Sequence, residues 1–216
     1  MDNKHIRLNT YIFSLLIGII FLLTPLIFFA NASHYYIYRF EDYGVYGEFK
    51  DSSIDKEVVN EKFRSLLLNL SPFSDELDIN FYSNEDILHL YDVENILTGI
   101  YFVYVISLIS VYGIYKNKKV KINFNLVRRL SIIYISLSII ISFIIYLDFD
   151  FFFTLAHKVA FQNDYWLLNP ESSNLIKFFP QELFFEVFVL VIIINLLMHI
   201  SFIMLSNKIN EKRNSK

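Results

Sequence analysis

Four apolar stretches, each about as long as a bilayer core is thick, constrain this chain more than any other feature. They cover residues 11–31, 96–115, 130–147 and 183–205. A helix needs about 20 mainly apolar residues to cross the hydrocarbon. Inside lipid only helices and closed barrels satisfy their own backbone. With 55% hydrophobic residues in a chain of 216, an ordinary soluble domain is excluded. The expected fold is an all-α membrane protein: four transmembrane helices forming one integral membrane domain over residues 1–216. The first stretch is too long and too uncharged for a cleaved signal peptide and lacks a small-residue cleavage site, so it reads as a retained span.

Charge gives the orientation. Twelve of the nineteen basic residues fall in three short segments. Lys4 and Arg7 precede the first span; Lys116, Lys118, Lys119, Lys121, Arg128 and Arg129 separate the second from the third; Lys208, Lys212, Arg213 and Lys216 follow the fourth. The positive-inside rule puts all three in the cytoplasm, with both termini inside. Residues 32–95 and 148–182 then face outward and carry most of the acidic side chains. The basic clusters read as topology signals and anionic-lipid contacts, with the phospholipid bilayer as partner and no nucleic acid. There is no cysteine, which rules out a disulfide staple, a Cys nucleophile and a thiolate metal site.

The first outward loop opens with His34, Tyr35, Tyr36, Ile37 and Tyr38, a composition suited to the membrane interface. Residues 43–49 alternate around two glycines and read as a short strand or the edge of a β-hairpin. Val58, Val59, Phe63, Leu66, Leu67 and Leu70 recur at helical spacing. They predict an amphipathic helix over residues 55–70, lying on the membrane or capping the bundle and ended by Ser71-Pro72. Ser83 and Asp86 fit a capping box that starts a further helix. If it runs unbroken into the second span, its first two turns project into the headgroup zone. His89 then rides about 10 Å above the apolar boundary at Ile96. The second outward loop, rich in phenylalanine and holding the only tryptophan, Trp166, is too apolar for full solvation. It is expected to dip into the interface as a half-buried helix. Asn169-Pro170 reads as a turn.

Histidines 89 and 157 therefore share the outward face, and they are the candidate catalytic acid/base pair. Glu85, His89 and Asp92 stand at i, i+4 and i+7 on one helix face. A carboxylate beside a histidine fixes its tautomer and raises its basicity. Asp92 is the expected orienter of His89, and Glu85 a supporting group; for both, the plainer reading is a solvated helix face. His34 reads as part of the aromatic belt and His5 as a tail residue. His199, with Asn195 one turn earlier in the fourth span, reads as interhelical hydrogen-bonding glue. The sequence has no HExxH, no GxSxG and no glycine-rich phosphate loop. Ser53-Ile54-Asp55-Lys56 matches SxxK, and Asn31-Ala32-Ser33 and Asn69-Leu70-Ser71 match the glycosylation sequon; patterns this short arise by chance. Only His89 and Asp92 have local ligand spacing, too thin a set to assign a metal.

Two blocks of sequence carry a family resemblance. One runs Phe81-Tyr82-Ser83-Asn84-Glu85-Asp86-Ile87-Leu88-His89-Leu90-Tyr91-Asp92-Val93. The other runs from His157 to Trp166, then Asn169-Pro170, then Phe179-Pro180-Gln181-Glu182-Leu183-Phe184-Phe185. In order on this topology they resemble the bacterial lipoprotein intramolecular transacylases, although residues 43–77 match none of that family's motifs. The resemblance implies an acyltransferase whose substrates are diacylglyceryl-modified bacterial lipoproteins. It would move the sn-2 acyl chain from glycerol to the cysteine α-amine and leave an N-acyl lyso-form. The resemblance carries His89 and His157 over as catalytic; Asp92, Tyr91 and Trp166 occupy motif positions. The chemistry fits: an amine with pKa near 8 needs only a modest base, and ester to amide runs downhill with no cofactor. The oxyanion stabiliser is left open among His157, Tyr91, the Trp166 indole N–H and a backbone N–H. Two further readings stand beside this one. They are a membrane hydrolase releasing fatty acid and a non-enzymatic four-span scaffold that tolerates loss of both histidines.

Overall fold

The computed structural model describes residues 3–49, 54–70, 80–117 and 119–214, from 208 onward by backbone alone. Its elements are α1 (Asn3–Ala30), α2 (Ser33–Arg39), α3 (Val45–Glu48), α4 (Lys56–Asn69), α5 (Asn84–Lys116), α6 (Phe124–Leu147), α7 (Phe149–Ala160), α8 (Asn174–Phe178) and α9 (Gln181–Asn214). Among the described residues there is no strand. Helices α1, α5, α6 and α9 are the four long and apolar enough to cross a membrane, one for each predicted span. The chain divides into two compact units, to both of which α1, α5 and α9 contribute residues.

The first unit holds residues 1–26, 101–147 and 190–216. Phe13, Ile17 and Val127 are buried together, with Phe21, Val111 and Phe202 against them. The Thr10 hydroxyl donates to the Ile6 carbonyl at 2.7 Å and accepts the Asn123 backbone N–H at 3.0 Å. Asn123 in turn accepts the Leu126 N–H through its side chain at 3.1 Å, so two of the free amides at the start of α6 are satisfied. Phe102, Ile109, Leu137 and Phe143 stay exposed, as expected of side chains that meet lipid. The interhelical hydrogen bonding predicted for His199 and Asn195 is not found for their nitrogens. Both imidazole nitrogens and the Asn195 amide nitrogen are buried without a hydrogen-bond partner. The faces that meet His199 present rings instead: Tyr134 stacks on it at 4.2 Å and Phe21 meets it edge-on at 4.9 Å.

The second unit holds residues 27–100 and 148–189. Its core is aromatic. Phe40, Phe49, Phe63 and Phe178 are fully buried, and Phe63 stands 4.8 Å from Phe40 and 5.3 Å from Phe178. Helix α4 matches the amphipathic prediction: Val59, Phe63, Leu66 and Leu67 are buried, as is Leu70 just beyond its end, while Val58 turns outward. The expected stop at Ser71-Pro72 lies outside the described residues, as do Ser53 of the SxxK match and Ser71 of the second sequon.

The strand or hairpin expected over residues 43–49 does not form. Gly44 adopts φ +69°, the left-handed value that ends a helix. The Val45 N–H closes back onto the Phe40 carbonyl at 3.0 Å, and α3 follows. Val45 and Phe49, four residues apart, enter the core together, so the spacing that pays is helical. The alternation in this segment was a coincidence of two glycines among aromatics.

Candidate active site

Helix α5 is unbroken over 33 residues, about 50 Å at 1.5 Å per residue. Its start is a reciprocal capping box. Ser83 Oγ accepts the Asp86 N–H at 3.0 Å, and the Ser83 N–H donates to Asp86 Oδ2 at 3.2 Å. Asp86 does more than the local pattern reveals. It is fully buried and also accepts the Ser173 hydroxyl and the backbone N–H groups of Asn174 and Leu175, the last two at 3.1 and 3.3 Å. One carboxylate thus joins the first turn of α5 to the first turn of α8. His89 follows it by three residues, before the apolar stretch begins at Ile96.

His157 sits in the last turn of α7. Asp148 caps that helix by accepting the Phe151 N–H at 3.1 Å, and the turn at Asn169 closes the segment behind it, with the Ser173 N–H on the Asn169 carbonyl at 2.9 Å. His157 Nδ1 lies 2.8 Å from the Phe153 carbonyl oxygen. A carbonyl only accepts, so Nδ1 carries a hydrogen, and in the neutral ring the lone pair is on Nε2. The ring is enclosed by Phe153 at 4.2 Å, Trp166 at 5.2 Å and Phe161 at 5.7 Å.

The two imidazoles stand 6.2 Å apart, centroid to centroid. They line one cavity of about 420 Å³ with Trp166, Tyr36 and Gln181; its other walls are apolar, among them Phe29, Leu90, Leu97, Leu175 and Phe184. His89 is 8% exposed, and its Nδ1 is buried with no partner, so it meets the cavity by its other edge. Burial holds its pKa below the usual 6.5, and repulsion from His157 adds to this; Asp92 and Asp86 oppose it more weakly. His89 is therefore a neutral imidazole at neutral pH.

The other predicted residues separate. Trp166 reaches the cavity. Asp92 is half-buried and acts on His89 through space only: its carboxylate is held by Asn163 Nδ2 at 2.8 Å, with no hydrogen bond to His89. Tyr91 is 51% exposed and outside the cavity wall. Glu85 is exposed on the same helix and makes no ion pair among the described residues. No group of three or more His, Asp or Glu side chains able to hold a metal gathers among the described residues.

A second cluster went unread in the sequence. Glu186 Oε2 accepts Arg39 Nη2 at 2.8 Å and Nε at 3.2 Å. The hydroxyls of Tyr35 and Tyr43 also donate to this carboxylate. The signal was available: a lone glutamate inside an apolar span demands a partner.

The lipoprotein intramolecular transacylase family matches residues 11–185 of the chain. The solved structure of the membrane-integral lipoprotein intramolecular transacylase of Bacillus cereus has the same fold, with TM-score 0.85 over 100% of both chains at 24% identity. A variant of that protein with a histidine replaced by arginine matches with TM-score 0.78 at 26% identity, covering 97% of this chain and 94% of its own. A variant with alanine in place of a histidine matches with TM-score 0.79 at 25% identity, covering 97% and 96%. No curated protein matches. With most of its length inside the family match, and four spans on the same fold, the chain belongs to the lipoprotein intramolecular transacylase family and is a multi-pass membrane acyltransferase.

Proposed function

We propose that the protein moves the sn-2 acyl chain of a diacylglyceryl-cysteine lipoprotein onto the α-amine of the same cysteine. His89 and His157 do the proton chemistry on the extracytoplasmic face, and both termini lie in the cytoplasm. The distribution of lysine and arginine supports that orientation. The observation that carries the catalytic reading is the bond from His157 Nδ1–H to the Phe153 carbonyl, beside a neutral His89 in one apolar cavity.

His157 Nε2 offers a lone pair and takes a proton from the amine as nitrogen attacks the ester carbonyl. Negative charge develops on the carbonyl oxygen. A neutral imidazole N–H on His89 donates to it, and low basicity suits that role. As the carbon–oxygen bond to glycerol breaks, the proton on His157 passes to the leaving glyceryl oxygen. The amide forms, one hydroxyl is released and both histidines return to their starting state. Amine and ester belong to one cysteine, so holding them together supplies much of the rate. The apolar walls take the acyl chains and keep water from competing for the ester. No enzyme nucleophile is required.

The test is mass spectrometry of a lipoprotein N-terminal peptide from a host without N-acylation. With this protein expressed, the expected product is an N-acyl, monoacylglyceryl peptide of unchanged total mass. It should be missing with His157→Ala or His89→Ala at equal levels of folded protein. Free fatty acid in place of N-acyl peptide would indicate a hydrolase. N-acyl transfer retained in both variants would refute the mechanism.

A further inference from the structure

The substrate makes a demand that the acyl cavity does not meet. In a diacylglyceryl cysteine the amine, the thioether arm and the peptide carbonyl all depart from one Cα. With the amine at His157 and the acyl chains among apolar walls, the polypeptide begins two bonds from the reacting nitrogen. Each of its residues carries a backbone N–H and a C=O, which cost free energy if buried unpaired. The polypeptide must leave along a polar surface that starts at His157.

Such a surface adjoins the site. A depression of about 510 Å³ is lined by Thr154, Lys158, Gln162, Asn163 and Asp164, with Phe161, Trp166 and Leu167. Phe161 and Trp166 are two of the rings packed against His157, and Trp166 borders the acyl cavity as well. The floor is fixed. Asn163 donates to Asp92, one turn beyond His89 on α5, and accepts the Tyr165 N–H at 3.1 Å. The remaining polar side chains are uncommitted: Thr154, Lys158, Gln162 and Asp164 hold no side-chain hydrogen bond or ion pair among the described residues.

We propose that this basin is the peptide subsite. It binds the backbone of the first residues after the lipidated cysteine, and Trp166 stands between it and the acyl cavity. The assignment rests on the transacylase reading and extends it. A hydroxyl, an ammonium, an amide and a carboxylate together supply donors and acceptors, which matches a peptide backbone. None encloses a pocket for one side chain, so the subsite reads the presence of a chain rather than its sequence. It also gives Asp92 a purpose: through Asn163 it places the basin floor relative to His89.

The test uses full-length protein in lipid nanodiscs and two synthetic substrates. One is S-diacylglyceryl-cysteine N-methylamide; the other carries five neutral residues after the same cysteine. Wild type is expected to show a KM about tenfold lower for the peptide, the worth of one or two net hydrogen bonds. Combining Lys158→Ala, Gln162→Ala and Asp164→Ala should raise KM for the peptide about tenfold, with kcat and the methylamide KM unchanged. All three side chains are exposed, so folding should survive, and turnover of the methylamide verifies it. Equal KM for both substrates in wild type, or a triple variant that shifts both or neither, would overturn the peptide subsite alone. Absence of N-acyl product from either substrate in wild type would overturn the transacylase reading and the subsite with it.

Discussion

Replacing Asp86 by alanine should cost more than replacing it by asparagine, although neither touches substrate. The carboxylate is fully buried and takes four donors: the Ser83 N–H, the Ser173 hydroxyl and the Asn174 and Leu175 N–H groups. Ser173 and Leu175 are themselves buried, at 1% and 5% exposure. Stranding those two donors costs about 2 kcal/mol each and loss of the capping box about 1, so Asp86→Ala should lose about 5 kcal/mol. Asparagine can keep the backbone part of the arrangement. Its oxygen serves the three N–H groups, and its amide donates to Ser173 Oγ, which still accepts the Ile176 N–H at 3.1 Å. The loss is then the stranded Ser173 O–H together with the charge assistance, about 3 kcal/mol. For a chain of this size the corresponding drops in Tm are about 10–20 °C and about 6–12 °C. Trp166 is the only tryptophan, so its fluorescence reports thermal unfolding of this unit in detergent. Equal losses in the two variants, or none in Asp86→Ala, would refute the argument that α8 is held to α5 by this acceptor.

Three other outcomes follow from the structure. His89 has a folded pKa below its usual 6.5, so the unfolded state binds the proton more readily and stability should fall as pH drops through 6.5; comparing Tm at pH 7.5 and pH 5, His89→Gln should lose less than wild type. Arg39→Met and Glu186→Gln should each lower Tm, while the double variant loses less than the sum of the two, because a lone partner leaves a charge unpaired; additive losses in that double-mutant cycle would count against this. Gly44→Ala should cost about 1 kcal/mol from its positive φ alone, since no atom stands within 4 Å of the added Cβ, and Gly44→Asn should recover part of that in the same unfolding assay.

The spans were legible because lipid imposes one rule on every residue in them, so length and hydropathy suffice. The same held for α4 and the start of α5, where helical spacing and a Ser83–Asp86 box are local signals. Residues 43–49 misled because two glycines among aromatics imitate period-two alternation, and only the core shows that Val45 and Phe49 share a face. His89, His157 and Trp166, singled out from the sequence, line one cavity. Helix spacing on α5 also suggested Asp92 as partner to His89, yet a nearer donor, Asn163, claims that carboxylate.

What the sequence determined by itself, then, is whatever depends on short-range chemistry or on the solvent around a segment: four helices across a bilayer and their caps. What the tertiary structure decided is which polar groups meet. Asp86 with residues 173–175, Arg39 with Glu186, and His89 with His157 are separated by 68 to 147 residues in the chain. Hydrogen bonds act over about 3 Å, so nothing in the spacing of such residues along the chain says that they will touch until the core has packed around them.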